Sequence, residues 1–307
     1  NIMFNDSASA VVIQPDGKIV AAGSSTNTVS YDFALVRYNA NGSLDNSFGT
    51  GGKIQTDVGG IDLLSSLALL PDGRIVAAGA SLGATDYDFA LVRYNDDGSL
   101  DTSFDTDGKV TTPILSADDR AQAVALQPDG RIVAAGYSYN GSDEDFAVVR
   151  YNVDGSLDTT FGTGGKVTTA VLSSHDHANS VAIQPDGRIV AAGYSLFATF
   201  PDFALVRYNP DGSLDNTFDG DGKVTTPEFG SDEFIFSIAI QPNGSVVAAG
   251  GSVTVPTGNF ALARYGSSCD TTPPDTTITG NPTNPTNSTS ASFTFTSNET
   301  PVTFECS

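Results

Sequence analysis

Residues 121–136 read Ala121-Gln122-Ala123-Val124-Ala125-Leu126-Gln127-Pro128-Asp129-Gly130-Arg131-Ile132-Val133-Ala134-Ala135-Gly136, and this stretch decides the fold. Large Val124 and Leu126 alternate with small Ala123 and Ala125, the period-two signature of a strand. Pro128 presets φ for a turn, Asp129 bonds back to the backbone and Gly130 accepts positive φ, so the chain reverses there as a hairpin. Arg131–Gly136 is the returning strand. A variable segment, 137–144, leads into an apolar third strand at 145–152. The turn Val153-Asp154-Gly155 and a Leu-Asp-x-x-Phe segment then lead to a fourth strand at 166–169. No part of the unit carries helical spacing.

The unit is written five times. Its Pro-Asp-Gly turn recurs at Pro15, Pro71, Pro128 and Pro185, and as Pro-Asn-Gly at Pro242, in steps of 56, 57, 57 and 57 residues. Arg-Tyr keeps the same beat at Arg37, Arg93, Arg150, Arg207 and Arg264. Four short antiparallel strands in a repeat of this length make a propeller blade, whereas the rungs of a linear solenoid are shorter. The small residues Ala10, Ser66, Ala123, Ser180 and Ser237 suit a crowded innermost strand. The expected fold is therefore all-β, a β-propeller of four-stranded antiparallel blades with five blades over residues 1–266. The Gly-Lys-(Val/Ile) fourth strand occurs only four times, at Lys53, Lys109, Lys166 and Lys223. Either Ile2–Phe4 closes the ring as a short strand, or additional upstream repeats bring the count to six or seven. A ring needs closure because open sheet edges invite aggregation.

The chain carries 14 basic and 36 acidic residues in 307, a net charge of -22. Thirteen of the basic residues sit at repeat positions and only Arg120 stands outside, so no basic patch exists for a phosphate backbone or an anionic membrane. No apolar stretch reaches membrane-spanning length. Acidic, Gly- and Thr-rich, Lys-poor composition points to a secreted or cell-surface protein of bacterial type. Residues 267–289, dense in Pro, Thr, Asn and Ser, read as an extended linker, and 290–307 as the truncated beginning of an Ig-like β domain. Both cysteines, Cys269 and Cys306, lie in this tail; they pair with each other, or Cys306 pairs beyond the segment.

The string Gln-Pro-Asp-Gly-Arg-Ile-Val-Ala-Ala-Gly … Asp-Phe-Ala-(Leu/Val)-Val-Arg-Tyr-Asn-x-Asp-Gly-Ser-Leu-Asp-x-x-Phe-Gly-x-Gly-Gly-Lys-Val-Thr-Thr resembles the bacterial delta-sixty repeat over residues 8–265. That resemblance implies a β-propeller in a secreted, often multidomain protein, and it brings no established reaction or ligand. The tail, with Pro-Pro-Asp-Thr-Thr-Ile-Thr and Phe-Glu-Cys-Ser, resembles the bacterial Ig-like modules that follow such repeats.

Candidate chemistry collects on the face that holds the start of the first strand and the connection from second to third strand, here the upper face. Eight residues before the Gln of each turn motif (Leu70 in the second copy) stands an acid: Asp6, Asp62, Asp119, Asp176 and Glu233. A ring of carboxylates suits a hard cation such as Ca2+, while the plainer reading has each acid capping amides of its own turn. A second set, Asp32, Asp88, Asp145 and Asp202, opens the third strand. The lower-face loops such as Asn39–Asp45 read as hairpin turns rather than calcium loops, and the Arg-Tyr arginines as members of ion pairs between blades. His175 and His177, the only histidines, read as a solvated loop rather than a transition-metal grip. The variable upper tips, with stacking surfaces at Tyr31, Tyr87, Tyr137 and Tyr194 and an apolar patch at Leu196, Phe197 and Phe200, are the expected binding surface.

These features point to a non-enzymatic extracellular module for adhesion, assembly or protein interaction. Its expected partner is a protein or glycan at the cell surface, or copies of itself, with no nucleic acid and no membrane insertion. No cofactor is required, though Ca2+ would stiffen the upper face. The alternatives are a multivalent lectin, against which the absence of Trp counts, and a propeller glycosidase, which needs two differently tuned carboxylates that five-fold equivalence does not supply.

Overall fold

In a computed structural model, residues 5–26, 30–172, 174–197, 200–226, 232–254, 257–266, 276–280 and 294–297 are described. Blade 1 is built from β1 (Asp6–Ile13), β2 (Ile19–Thr26), β3 (Tyr31–Tyr38) and β4 (Lys53–Thr56). Blade 2 holds β5 (Asp62–Leu69), β6 (Ile75–Leu82), β7 (Tyr87–Tyr94) and β8 (Lys109–Thr112). Blade 3 holds β9 (Asp119–Leu126), β10 (Ile132–Tyr139), β11 (Glu144–Tyr151) and β12 (Lys166–Thr169). Blade 4 holds β13 (Asp176–Ile183), β14 (Ile189–Phe197), β15 (Phe200–Tyr208) and β16 (Lys223–Thr226). Blade 5 has three strands among the described residues, β17 (Asp232–Ile240), β18 (Val246–Thr254) and β19 (Thr257–Tyr265). Within each blade the strands pair in sequence order and antiparallel, as the repeat predicts. A separate two-stranded ladder joins β20 (Thr276–Gly280) to β21 (Thr294–Ser297). Ile2–Phe4, Cys269 and Cys306 lie outside the described residues.

The hydrophobic cores lie between blades, not inside them. Phe33 and Leu35 of blade 1 pack with Leu64, Leu67, Ile75 and Ala77 of blade 2, and the pattern repeats at the next three seams. A single sheet is only one layer thick, so it buries its two faces only by facing neighbours. The first strands stand side by side, β1 against β5, β5 against β9, β9 against β13 and β13 against β17. No comparable packing joins blade 5 to blade 1 among the described residues.

Repeat residues explain the seams. Arg37, Arg93, Arg150 and Arg207 are buried, and each Nε meets the Oδ2 of an aspartate eight residues on in its own blade, at 2.8, 2.7, 2.8 and 2.7 Å. The recurring ion pair is thus within the blade, where the sequence suggests one between blades; Arg37 also makes a pair across the seam, its Nη1 lying 3.0 Å from Asp96 Oδ1. What crosses the seam is Nη1, which donates to a turn carbonyl of the next blade: Arg37 to Asp96, Arg93 to Val153 and Arg150 to Pro210. Each guanidinium lies 4.4–4.6 Å from the centre of the Phe ring that ends Leu-Asp-x-x-Phe. The tyrosine of Arg-Tyr crosses in the opposite direction, donating from Tyr94, Tyr151 and Tyr208 to Thr56, Thr112 and Thr169 at the end of the preceding blade's fourth strand.

The glycine of Ala-Ala-Gly is required where the first strand bulges. A Cβ on Gly136 would stand 1.9 Å from the carbonyl oxygen of Arg120, and the bulge recurs in every blade.

Candidate functional site

The acids that open the first strands serve the turns before them. Asp62 Oδ2 accepts from the amide of Val58 at 2.6 Å; Asp119 Oδ2 from Ile114 at 2.6 Å and Leu115 at 3.2 Å; Asp176 Oδ2 from Val171 at 2.7 Å and Leu172 at 3.4 Å. Asp62, Asp119, Asp176 and Glu233 are fully buried. Asp6, on the first blade, is exposed and accepts from Ser25 Oγ at 2.7 Å. Burial pushes the Asp62 and Asp119 carboxyls up, and that of Asp176 up to about 6, while turn amides and the cross-strand serines Ser81, Ser138 and Ser195 hold them back. Oδ1 of all three aspartates is buried and has no partner within hydrogen-bond geometry.

Three acids do converge. Carboxylate oxygens of Asp32, Asp57 and Asp62 lie within 4.8 Å of one another at the seam of blades 1 and 2, and Gln55 Nε2 donates to Asp32 Oδ2 at 3.0 Å. Asp57 stands where the next two blades have Pro113 and Ala170, so this grouping departs from the repeat. Among the described residues it is the one set of acids, histidines or cysteines so gathered, and the other four members of the acid ring take no part in it. The lower-face loops are turns: Ser43 N donates to Asn41 Oδ1 at 3.0 Å and Gly42 has φ 84°.

The upper face breaks the repeat most strongly across blades 3 to 5. The position after the capping acid carries Arg120 in blade 3, His177 in blade 4 and Phe234 in blade 5, against Leu63 in blade 2. Arg120 and His177 have Tyr137 and Tyr194 directly opposite on the second strand. These side chains form a column. The Arg120 guanidinium lies 4.0 Å from the ring centre of Tyr87, and the Tyr137 ring stacks on His177 at 3.9 Å and 16°. Tyr194 leans on the other side at 4.9 Å, and Phe234 meets Tyr194 edge-on at 4.9 Å. Each is half-buried.

Glu144 binds the column to the loop above it. Its Oε2 lies 2.6 Å from His175 Nδ1 and 2.8 Å from His177 Nε2, so the two histidines share one carboxylate oxygen. Desolvation lowers the His177 pKa, and the Glu144 charge opposes that shift. Burial and the Glu144 charge push the Tyr194 hydroxyl up to about 12. Leu196 N donates to His175 O at 2.9 Å, which seats the apolar tip of blade 4 beside the cluster, with Phe200 exposed.

Tyr137 and Tyr194 are therefore brought together, Tyr87 stands one step away on Arg120, and Tyr31, on the rim of blade 1, has no ring contact among the described residues. Phe197 pairs through its backbone with Phe200. Sequence reasoning missed Glu144, Arg120 and Phe234. The signal for Glu144 was its place at the head of the third strand, where Tyr31 and Tyr87 stand in blades 1 and 2.

Among curated proteins none matches the sequence. Solved structures with a similar fold include an ulvan lyase of a polysaccharide lyase family, bound to -[GlcA(1-4)Rha3S]-, at 12% identity and TM-score 0.48, covering 83% of this chain and 66% of that one. Sqt1 from Chaetomium thermophilum is 14% identical with TM-score 0.43, covering 84% of this chain and 69% of that one. An endo-arabinase from Bacteroides thetaiotaomicron VPI-5482 is 9% identical with TM-score 0.39, covering 82% and 91%. Residues 14–48, 70–104, 127–161 and 184–218 each match the family described as "Domain of unknown function (DUF5122) beta-propeller", one match in each of the first four copies, and the chain is a repeat β-propeller.

Proposed function

We propose that this chain is a non-catalytic binding module, displayed outside the cell for adhesion or assembly, and that a protein partner is taken on the upper face at blades 3 to 5. The observation that carries this reading is the column Arg120–Tyr137–His177–Tyr194–Phe234, with Glu144 and the Phe200 tip beside it, set on a scaffold whose repeat arginines Arg37, Arg93, Arg150 and Arg207 are buried and paired internally. A rigid frame with one aromatic, apolar and charged departure is the layout of a recognition surface. The ring faces are occupied by one another, so hydroxyls, ring edges and the exposed Phe200 are what a partner meets. A catalytic reading finds no support in Asp176: its raised carboxyl is fully buried and already holds two amides.

A glycan is the second reading, favoured by the Glu144 carboxylate beside the tyrosine edges. Binding of labelled protein to cell surfaces separates the two. The expected result is binding removed by protease treatment of the cells, resistant to periodate oxidation, and lost with Phe200→Asp or Tyr194→Ala. Periodate sensitivity would favour the glycan. Binding indifferent to both substitutions would overturn this choice of site.

A further inference from the structure

His175 and His177 flank the fully buried Asp176 at the entry to β13 and converge on a single atom. Glu144 Oε2, at the head of β11 in the preceding blade, lies 2.6 Å from His175 Nδ1 and 2.8 Å from His177 Nε2. A carboxylate oxygen accepts and cannot donate, which assigns a hydrogen to each of those nitrogens and leaves His175 Nε2 and His177 Nδ1 to take up protons. With both rings neutral the group is complete: two donors meet one anionic acceptor. The contact crosses the seam of blades 3 and 4. It also reaches the tip of blade 4, because the same His175 gives its carbonyl to Leu196 N at 2.9 Å.

Charging both rings undoes that balance. One imidazolium against Glu144 is an ion pair; two leave a single carboxylate oxygen between two cations. His177 is the costlier to charge, since its side chain is 18% exposed against 46% for His175 and it lies between Tyr137 and Tyr194. The Tyr137 face offsets part of that cost by a cation–π contact. The surrounding charges do not supply the rest. From β9, Arg120, directly opposite Tyr137, adds a further cation, and Asp118 is paired with it at 3.3 Å. Beside Glu144, Asp143 and Asp145 are both held by Asn140 Nδ2. Asp176 holds two turn amides, and as pH falls through about 6 it takes a proton of its own, which removes an anion from between the rings. On β17, Glu233 is fully buried next to Phe234, and the raised Tyr137 and Tyr194 hydroxyls stay neutral.

We propose that Glu144, His175 and His177 form an acid-released clamp: near neutral pH they hold the loop entering β13 to the head of β11, and in acid the doubly charged rings let that loop and the Leu196 amide go. The clamp stands on this geometry alone. Its consequence rests on the recognition reading above, for a partner seated on Tyr194 and Phe200 would be shed in acid.

Because these are the chain's only histidines, imidazole NMR of the 15N-histidine-labelled chain follows both rings directly, and hydrogen exchange at the Leu196 amide reads the clamp. At pH 7.5 the rings are expected to be neutral, with the hydrogen on Nδ1 of His175 and on Nε2 of His177. Between pH 7.5 and pH 5, Leu196 exchange, corrected for its intrinsic rate, is expected to rise on the order of tenfold while both rings become charged. His177→Phe keeps a ring in the stack and takes no proton, so its Leu196 is expected to stay protected at pH 5. Glu144→Gln removes the anion, so exchange is expected to be fast already at pH 7.5. Wild-type exchange that is flat from pH 7.5 to pH 5 overturns the proposal. So does the same rise in His177→Phe, which would place the trigger outside this group. No partner enters the experiment, so a clamp that fails here leaves the recognition reading to its own cell-binding test.

Discussion

Burying an arginine is tolerable only where its charge and its donors are met together. Arg150 lies on the Phe161 ring, gives Nε to Asp158 and Nη1 to Pro210 O, and Asp158 in turn accepts from Thr160 through its other oxygen. Against the desolvation of burial, Thr160 and Arg150 hold the Asp158 carboxyl below the usual range. Asp158→Ala strands the guanidinium and is expected to cost about 3–5 kcal/mol in urea unfolding; Arg150→Met/Asp158→Leu, which removes both charges, is expected to recover most of that loss. The sequence made it legible that these arginines need partners, because Arg-Tyr and Leu-Asp-x-x-Phe recur together. It did not show which partner lies in the same blade, since that depends on how the turn folds back over the strand. The same limit hid Glu144: two histidines on one strand start and an acid on the neighbouring blade become a unit only when the blades are laid side by side.

At the scale of the element, blade construction was open to inspection because period-two alternation, Pro-Asp-Gly turns and bulge glycines act within a few residues of one another. Gly136 is the tightest of these constraints. With Arg120 O 1.9 Å from any added Cβ, Gly136→Ala must push β9 away from β10, at an expected cost of about 3 kcal/mol or more in thermal or urea melts. By contrast Gly42 has open space around its missing Cβ and only its φ of 84° to satisfy, so Gly42→Asn is expected to change the melting temperature little. What the local pattern did not reveal is exposure. Phe203 and Phe260 stand in the same sequence context, and what separates the buried ring from the exposed one is the packing of blade 5 on Phe203, which no sheet among the described residues repeats on Phe260.

For the whole molecule, the buried acids set the response to pH. Asp62, Asp119 and Asp176 have folded pKa values raised by burial, that of Asp176 to about 6, so their stabilising contribution is complete below the unfolded value and is lost as pH climbs through the folded one. Asp45 runs the other way: Ser47 and Arg37 bring it down to about 2, so its contribution holds above the unfolded value and disappears as pH falls through about 2. Adding the self-repulsion of a chain with net charge -22, the melting temperature is expected to peak in mildly acidic buffer, to fall from pH 5 to pH 8, and to regain ground at pH 8 when salt is added. A profile rising from pH 5 to pH 8 would contradict the raised carboxyls; Asp176→Asn, which cannot ionise, is expected to flatten the decline.

The placement of the cores at seams gives the molecule a modular grammar. Because blade 2 offers blade 3 the same surface that blade 3 offers blade 4, excising residues 119–175 in frame would bring Phe89 of one copy against Val181 of another and leave every remaining junction spelled as before. Genes written this way lengthen or shorten by whole units without relearning how to fold, and the departures that carry recognition, at Arg120, His177 and Phe234, are free to travel with the unit that bears them.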